Sequence, residues 1–200
     1  MILSKLFYAR DSAAVARGLL GKILVHKTKA GILKGKIVET EAYYGAEDPA
    51  SRAYKKKRGK AGMAEQMFRE VGTAFTYMVH ANWLFNVIGK NIEAGGVLIR
   101  ALEPLEGIEL MFKNRKLPDS KKGNVLELCS GPGKLSKAFA FTKADSGIDL
   151  TKAKKIWIED PQIKNKFEVA TSHRIGVTKD LPQKLRFYIK GSQFVSKNKT

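Results

Sequence analysis

Five runs rich in branched and aromatic residues crowd the first half of this chain, and they constrain its fold more than any other feature. KILVHK (22–27) and ILKGKIVETE (32–41) flank TKAG, which reads as a hairpin turn. TAFTYMV (73–79), WLFNVI (83–88) and GVLIRAL (96–102) read as successive strands of one sheet. A short helix is expected over 12–20, capped by Asp11 or Ser12 and ended by Gly21. Residues 45–62 read as a long polar loop and 63–69 as one or two helical turns. Pro104 is placed at the first turn of a helix over 104–115. A further helix is expected over 134–141, with short strands at 156–158 and 185–189. The order is helix, many strands, helices, then strands again. It predicts a single α+β domain over 1–200, built on a curved, mostly antiparallel β-sheet surrounded by helices.

Charge narrows the class of partner. Thirty-seven basic residues against nineteen acidic ones leave a net charge of +18 on 200 residues. Such an excess implies a polyanionic partner, nucleic acid ahead of an anionic membrane surface. The chain lacks the amphipathic basic helix that a membrane surface would call for. Its only cysteine, Cys129, excludes an internal disulfide, and nothing requires an oxidising compartment. The first 25 residues are interrupted by Lys5, Arg10, Asp11 and Arg17, unlike a signal peptide. No run of about 18 apolar residues is present to span a bilayer. A cytoplasmic or nucleoid location in a prokaryote, or a nuclear one in a eukaryote, is expected.

Some chemistries are disfavoured by spacing. Zinc sites need clustered Cys and His, whereas Cys129 stands alone and His26, His80 and His173 are far apart. No metal or other cofactor is expected. The run SGPGKL hints at a phosphate loop, but Leu128 and Leu135 stand where a Walker motif needs Gly and Ser or Thr. Its backbone amides could still hold a DNA phosphate. IVETEAY (37–43) is more informative. On an extended strand Glu39, Glu41 and Tyr43 share one face. That pattern fits an exposed strand end with a salt-bridging glutamate. It fits equally a carboxylate beside an aromatic wall, able to activate water near a stacked base.

Several segments resemble the alkyladenine (3-methyladenine) DNA glycosylase family, in family order and spacing over nearly the whole chain. They are ARGLLGKILV, IVETEAYYGAEDPAS, MFREVGTAFTYMV, GGVLIRALEPLEG, ELCSGPGKL and LRFYIKGS. The resemblance implies a monofunctional enzyme that flips an alkylated or deaminated purine out of duplex DNA. It implies that Glu41 is the general base, deprotonating a water that attacks the sugar C1′ through an oxocarbenium-like state. Tyr43 and Tyr77 would sandwich the flipped base, favouring cationic purines by cation–π attraction. Asn86 would lie on the pocket floor and reject guanine through its 2-amino group. Arg100 would lie near the catalytic water. A monomer acting on damaged duplex DNA is implied.

The chain departs from the family pattern in three places. Arg52 stands where the family carries a histidine at the base edge; it is always charged and accepts no hydrogen bond. In the pocket it would disfavour cationic bases; turned outward it would meet a phosphate. His80 stands where the family carries a tyrosine wedge that fills the gap left by the flipped base. The stretch from His80 to Asn86 is one residue shorter, so the wedge is His80 or Asn82, with His80 favoured. Phosphate contacts are expected from Lys55, Lys56, Lys57, Arg58 and Lys60, from Lys134 in SGPGKL, and from Arg174. The alternative is a DNA-binding module that kept the fold and lost excision.

Overall fold

The computed structural model describes residues 1–56, 62–89, 94–161 and 166–196. Two short helices, α1 (Lys5–Tyr8) and α2 (Ser12–Leu19), precede the sheet. Asp11 starts the second by accepting hydrogen bonds from the Ala13 and Ala14 amides at 2.8 and 3.3 Å. Val15, Ala16 and Leu19 recur at helical spacing and are buried on one side. The Thr40 hydroxyl donates to the Ala16 carbonyl at 2.9 Å, tying this helix to the sheet beneath it.

The sheet begins with the hairpin read from the sequence, β1 (Ile23–Thr28) and β2 (Gly31–Tyr43). After a 3-10 turn at Met63–Phe68 come β3 (Ala74–Val79), β4 (Asn82–Ile88) and β5 (Gly96–Glu106). Three helices follow, α3 (Ile108–Arg115), α4 (Leu126–Cys129) and α5 (Pro132–Ala138), and then β6 (Ile156–Glu159), β7 (Val169–Ser172) and β8 (Arg186–Ile189). The strand order is β3-β4-β5-β2-β1-β6, with β8 joining β2 to β7, and every strand pairing is antiparallel. Among the described residues no helix is long and apolar enough to cross a membrane.

Strand β2 organises the sheet. One edge pairs with β5 along most of its length, and the other is divided between two partners. Positions 31–36 pair with β1, and Glu39, Thr40 and Glu41 pair with β8. At the changeover the register against β5 skips, between Ile37 and Glu39 and again between Glu39 and Thr40. Such bulges bend a strand and increase its twist, which lets the sheet curl where the two carboxylates sit. From Ile37 to Ala42 every residue of β2 is buried, so both faces are covered there.

Two hydrophobic clusters flank this curl. The larger includes Leu19, Leu24, Ile37, Phe85, Ile99, Leu102, Met111 and Phe139. The smaller gathers Ala53, Met67, Phe68, Phe75, Ile88 and Ala94, and Tyr43 and Tyr77 pack against it. That second cluster ties the polar loop after β2 to the sheet.

The end of β5 corrects one expectation. Pro104 does not open a helix; it remains in the strand opposite Gly35, at a register shift where a missing amide is tolerated. The helix starts instead at Ile108, after Gly107 turns the chain with φ +78°. Helix α5 likewise starts two residues early, with Pro132 in its first turn, and ends at Ala138. Helices α1 and α4 and strand β7, each four residues long, lie in segments whose pattern carried no signal. A Cβ on Gly107 would stand 2.4 Å from the Ile32 carbonyl oxygen, besides straining its backbone. Gly107→Ala should therefore cost more than about 1 kcal/mol, read as a lowered urea midpoint with unchanged slope.

Candidate active site

Alternation along β2 puts Glu39, Glu41 and Tyr43 on one face of the sheet. Directly paired residues extend that face across four neighbouring strands, in the row Phe75, Asn86, Leu98, Glu41, Arg186. Two carboxylates buried side by side are tolerable only if cations and donors meet them, and here they do. Glu39 Oε1 accepts Arg100 Nε at 2.8 Å, Arg186 Nε at 2.7 Å and the Ser196 hydroxyl at 2.8 Å. Its Oε2 accepts the Ser196 amide at 2.6 Å. Glu39 is thus filled with structural partners.

Glu41 is held more lightly. Arg100 Nη1 lies 3.2 Å from its Oε1, so one guanidinium bridges both carboxylates. The same Oε1 accepts the Ile175 amide at 2.7 Å, and Oε2 accepts the Tyr43 hydroxyl at 2.8 Å. Burial pushes the Glu41 carboxyl above the usual carboxylate value, with Arg100, the Ile175 amide and Tyr43 pulling the other way. Tyr43 is itself pushed well above 10, first by burial and then by the adjacent Glu41 charge. It therefore stays protonated and donates. Glu39 and Glu41 balance Arg100 and Arg186, so the cluster is electrically neutral when all four are charged.

Arg174 requires a correction. The sequence reading puts it on a DNA phosphate, yet its side chain is fully buried. Its guanidinium donates to both oxygens of Asp48 at 2.6 and 2.8 Å, to Asp180 at 2.6 and 2.8 Å, and to the Ala42 carbonyl at 3.0 Å. It also lies 4.6 Å from the centre of the Tyr43 ring. With its donors spent inside, Arg174 acts as a clamp that places the next residue, Ile175, whose amide meets Glu41. Asp48 in turn accepts the Tyr44 and Ala50 amides at 2.9 and 3.0 Å, pinning the polar loop.

Tyr77 reaches the same region from β3, with its ring centre 5.2 Å from that of Phe75. Asn86 is buried, and its amide nitrogen donates to the carbonyls of Phe75 and Leu84, both at 3.2 Å, which fixes the plane of the amide. Arg52 is exposed, with its guanidinium 4.9 Å above the Tyr77 ring. Burial pushes the Tyr77 hydroxyl up, while Arg52, by its charge and a hydrogen bond, pulls it down.

The β3–β4 hairpin turns at His80 and Ala81, both with positive φ, at 45° and 57°. Two-residue turns of this hand normally recruit Gly or Asn. Both residues are exposed, as is Met78 beside them. Asn82 holds the turn from within, its amide donating to the His80 carbonyl at 2.6 Å, and packs against Gly133. Of the two wedge candidates His80 is the one at the tip.

A groove of about 640 Å³ runs past Asn82, Arg100, Ser130, Gly133, Lys134 and Lys137. Lys134 lies on it, 3.0 Å from Glu127 and 3.3 Å from the Ser130 hydroxyl. Lys55 and Lys56 are exposed, whereas Lys57, Arg58 and Lys60 lie outside the described residues. Sequence reasoning missed Arg186, Ser196, Asp48 and Asp180. The available signal was the pair of alternating carboxylates, which must find cations if buried. Removing Asp48 would leave Asp180 on the guanidinium but take the acceptor from two Arg174 N–H groups and from the Tyr44 and Ala50 amides. Asp48→Ala should cost about 1–3 kcal/mol, seen as a fall in the denaturation midpoint.

Comparison with known proteins finds relatives over nearly the whole chain. A family model described as Methylpurine-DNA glycosylase (MPG) matches residues 6–193. A protein of Clostridium perfringens (strain 13 / Type A) is 41% identical over 211 residues, covering 98% of this chain and all of its own length. One from Clostridium botulinum (strain Langeland / NCTC 10281 / Type F) is 40% identical over 206 residues, covering 98% of this chain and 99% of its own. Both bear the name "Putative 3-methyladenine DNA glycosylase". The chain belongs to the methylpurine-DNA glycosylase family, enzymes that hydrolyse N-glycosyl bonds in DNA.

Proposed function

We propose that this protein flips alkylated or deaminated purines out of duplex DNA and releases them with a water activated by Glu41. The observation that carries this reading is the setting of Glu41. It is a buried carboxylate with a raised pKa, oriented by Arg100, the Ile175 amide and Tyr43, on the sheet face that also bears Tyr77 and Asn86. A carboxylate so placed is a stronger base than one in water, and Arg100, the Ile175 amide and the Tyr43 hydroxyl all favour its charged form.

The remaining residues take consistent parts. A flipped base stacks between Tyr43 and Tyr77, and the fixed Asn86 amide bounds the pocket. Glu41 takes a proton from water as it attacks C1′, and its negative charge favours the developing oxocarbenium. An alkylated purine already carries a positive charge, which the departing bond pair neutralises, so it leaves readily; hypoxanthine needs a proton to leave. His80, at the hairpin tip, fills the gap in the duplex. Lys55, Lys56 and Lys134 bear on phosphates, and the charge of +18 supports salt-dependent searching along DNA as a monomer.

Replacing Glu41 by Gln should slow release by about 10²–10⁴-fold while leaving binding to lesion-bearing duplex in place. Single-turnover release and a parallel binding titration check this; unchanged release removes Glu41 from the mechanism. The pH profile follows from the sign of the shift. With a cationic base such as 7-methylguanine, only Glu41 must be ionised. The rate should fall as pH drops through its pKa, with a midpoint above the ordinary glutamate value of 4.5.

A further inference from the structure

We propose that Arg52 is a cationic gate on Tyr77 that selects neutral damaged purines over positively charged ones. The inference rests on the excision reading above. It begins with how the backbone around Arg52 is held. Asp48 is locked by Arg174. The Ser51 amide donates to the Asp48 carbonyl at 2.9 Å, and the Tyr54 amide to the Ser51 carbonyl at 3.1 Å. Ser51 and Ala53 are buried, the first with its hydroxyl 3.5 Å from the Met67 sulfur and the second within the small cluster. With both neighbours anchored inward, the Arg52 side chain leaves on the other side. Its guanidinium settles 4.9 Å over the Tyr77 ring.

The two proposed pocket tyrosines therefore each carry a guanidinium, in opposite electrostatic settings. Arg174, on Tyr43, is neutralised by Asp48 and Asp180. Among the described residues no carboxylate pairs with Arg52. Without a carboxylate partner among those residues, its charge on the face of Tyr77 competes with any other cation for the same ring. A cationic alkylated purine must displace it or lie beside a like charge. A neutral purine meets no such repulsion. It also presents acceptors to the five donors of the guanidinium, among them the N7 that 7-methylation removes. Arg52 is exposed while Ser51 and Ala53 hold the backbone from the buried side, so removing its side chain leaves those anchors in place.

The test is single-turnover release of hypoxanthine and of 7-methylguanine from one duplex context, by the full chain and by Arg52→Gln and Arg52→Lys. The 7-methylguanine to hypoxanthine rate ratio should rise about tenfold or more in Arg52→Gln. It should stay near the parent value in Arg52→Lys, which keeps the charge. A ratio unmoved in Arg52→Gln, with both rates changed by one factor or neither, overturns the gate and leaves the excision reading standing. A parent protein that releases neither base overturns the excision reading itself.

Discussion

The contact on which the rest depends is the Arg100 guanidinium set between Glu39 and Glu41. Two glutamates two residues apart on a fully buried stretch of strand would repel each other and lose their hydration. The chain answers with a division of labour. Glu39 takes two guanidiniums and both polar groups of Ser196, and becomes a fixed anionic post. Arg100, anchored on that post, offers its remaining reach to Glu41. Glu41 is left with few partners and a raised pKa, a setting that suits a base better than a brace.

The fold makes this arrangement possible by dividing one edge of β2. Where β1 gives way to β8, the bulged register lets Arg186 come from the far end of the chain to meet Glu39. The segment before β8 carries Arg174, whose ion pairs with Asp48 and Asp180 set the position of the Ile175 amide. Residues more than a hundred positions apart are thus joined through one polar network around Glu41. Such networks are worth more intact than the sum of their parts, and leave costly orphans when one member is lost.

Much of the scaffold was legible from short-range pattern. The hairpin of β1 and β2, the three strands that follow, and α2 with its Asp11 cap rest on alternation, helical spacing and local turn chemistry. The shared face of Glu39, Glu41 and Tyr43 follows from the period of a strand. What failed depends on distant partners. Pro104 carries a helix-start signal, but the pairing of β5 with β2 overrides it. Arg174 reads as one more surface cation in a basic chain, because nothing near it announces that Asp48, 126 positions away, will bury it. The four-residue β7 has no periodicity of its own and exists by pairing with β8. Arg52 stands out in the sequence by its position alone; its place over Tyr77 is a product of the anchored loop.

The most direct measurement is incubation of the purified protein with a duplex bearing a single hypoxanthine, followed for free base and for strand breaks before and after hot alkali. Hydrolysis by a water-activating Glu41 predicts released hypoxanthine and an intact strand that breaks only after alkali. Tight, salt-sensitive binding with no base released would contradict it and describe a DNA-binding module on this fold. Strand breaks without alkali would contradict the monofunctional chemistry.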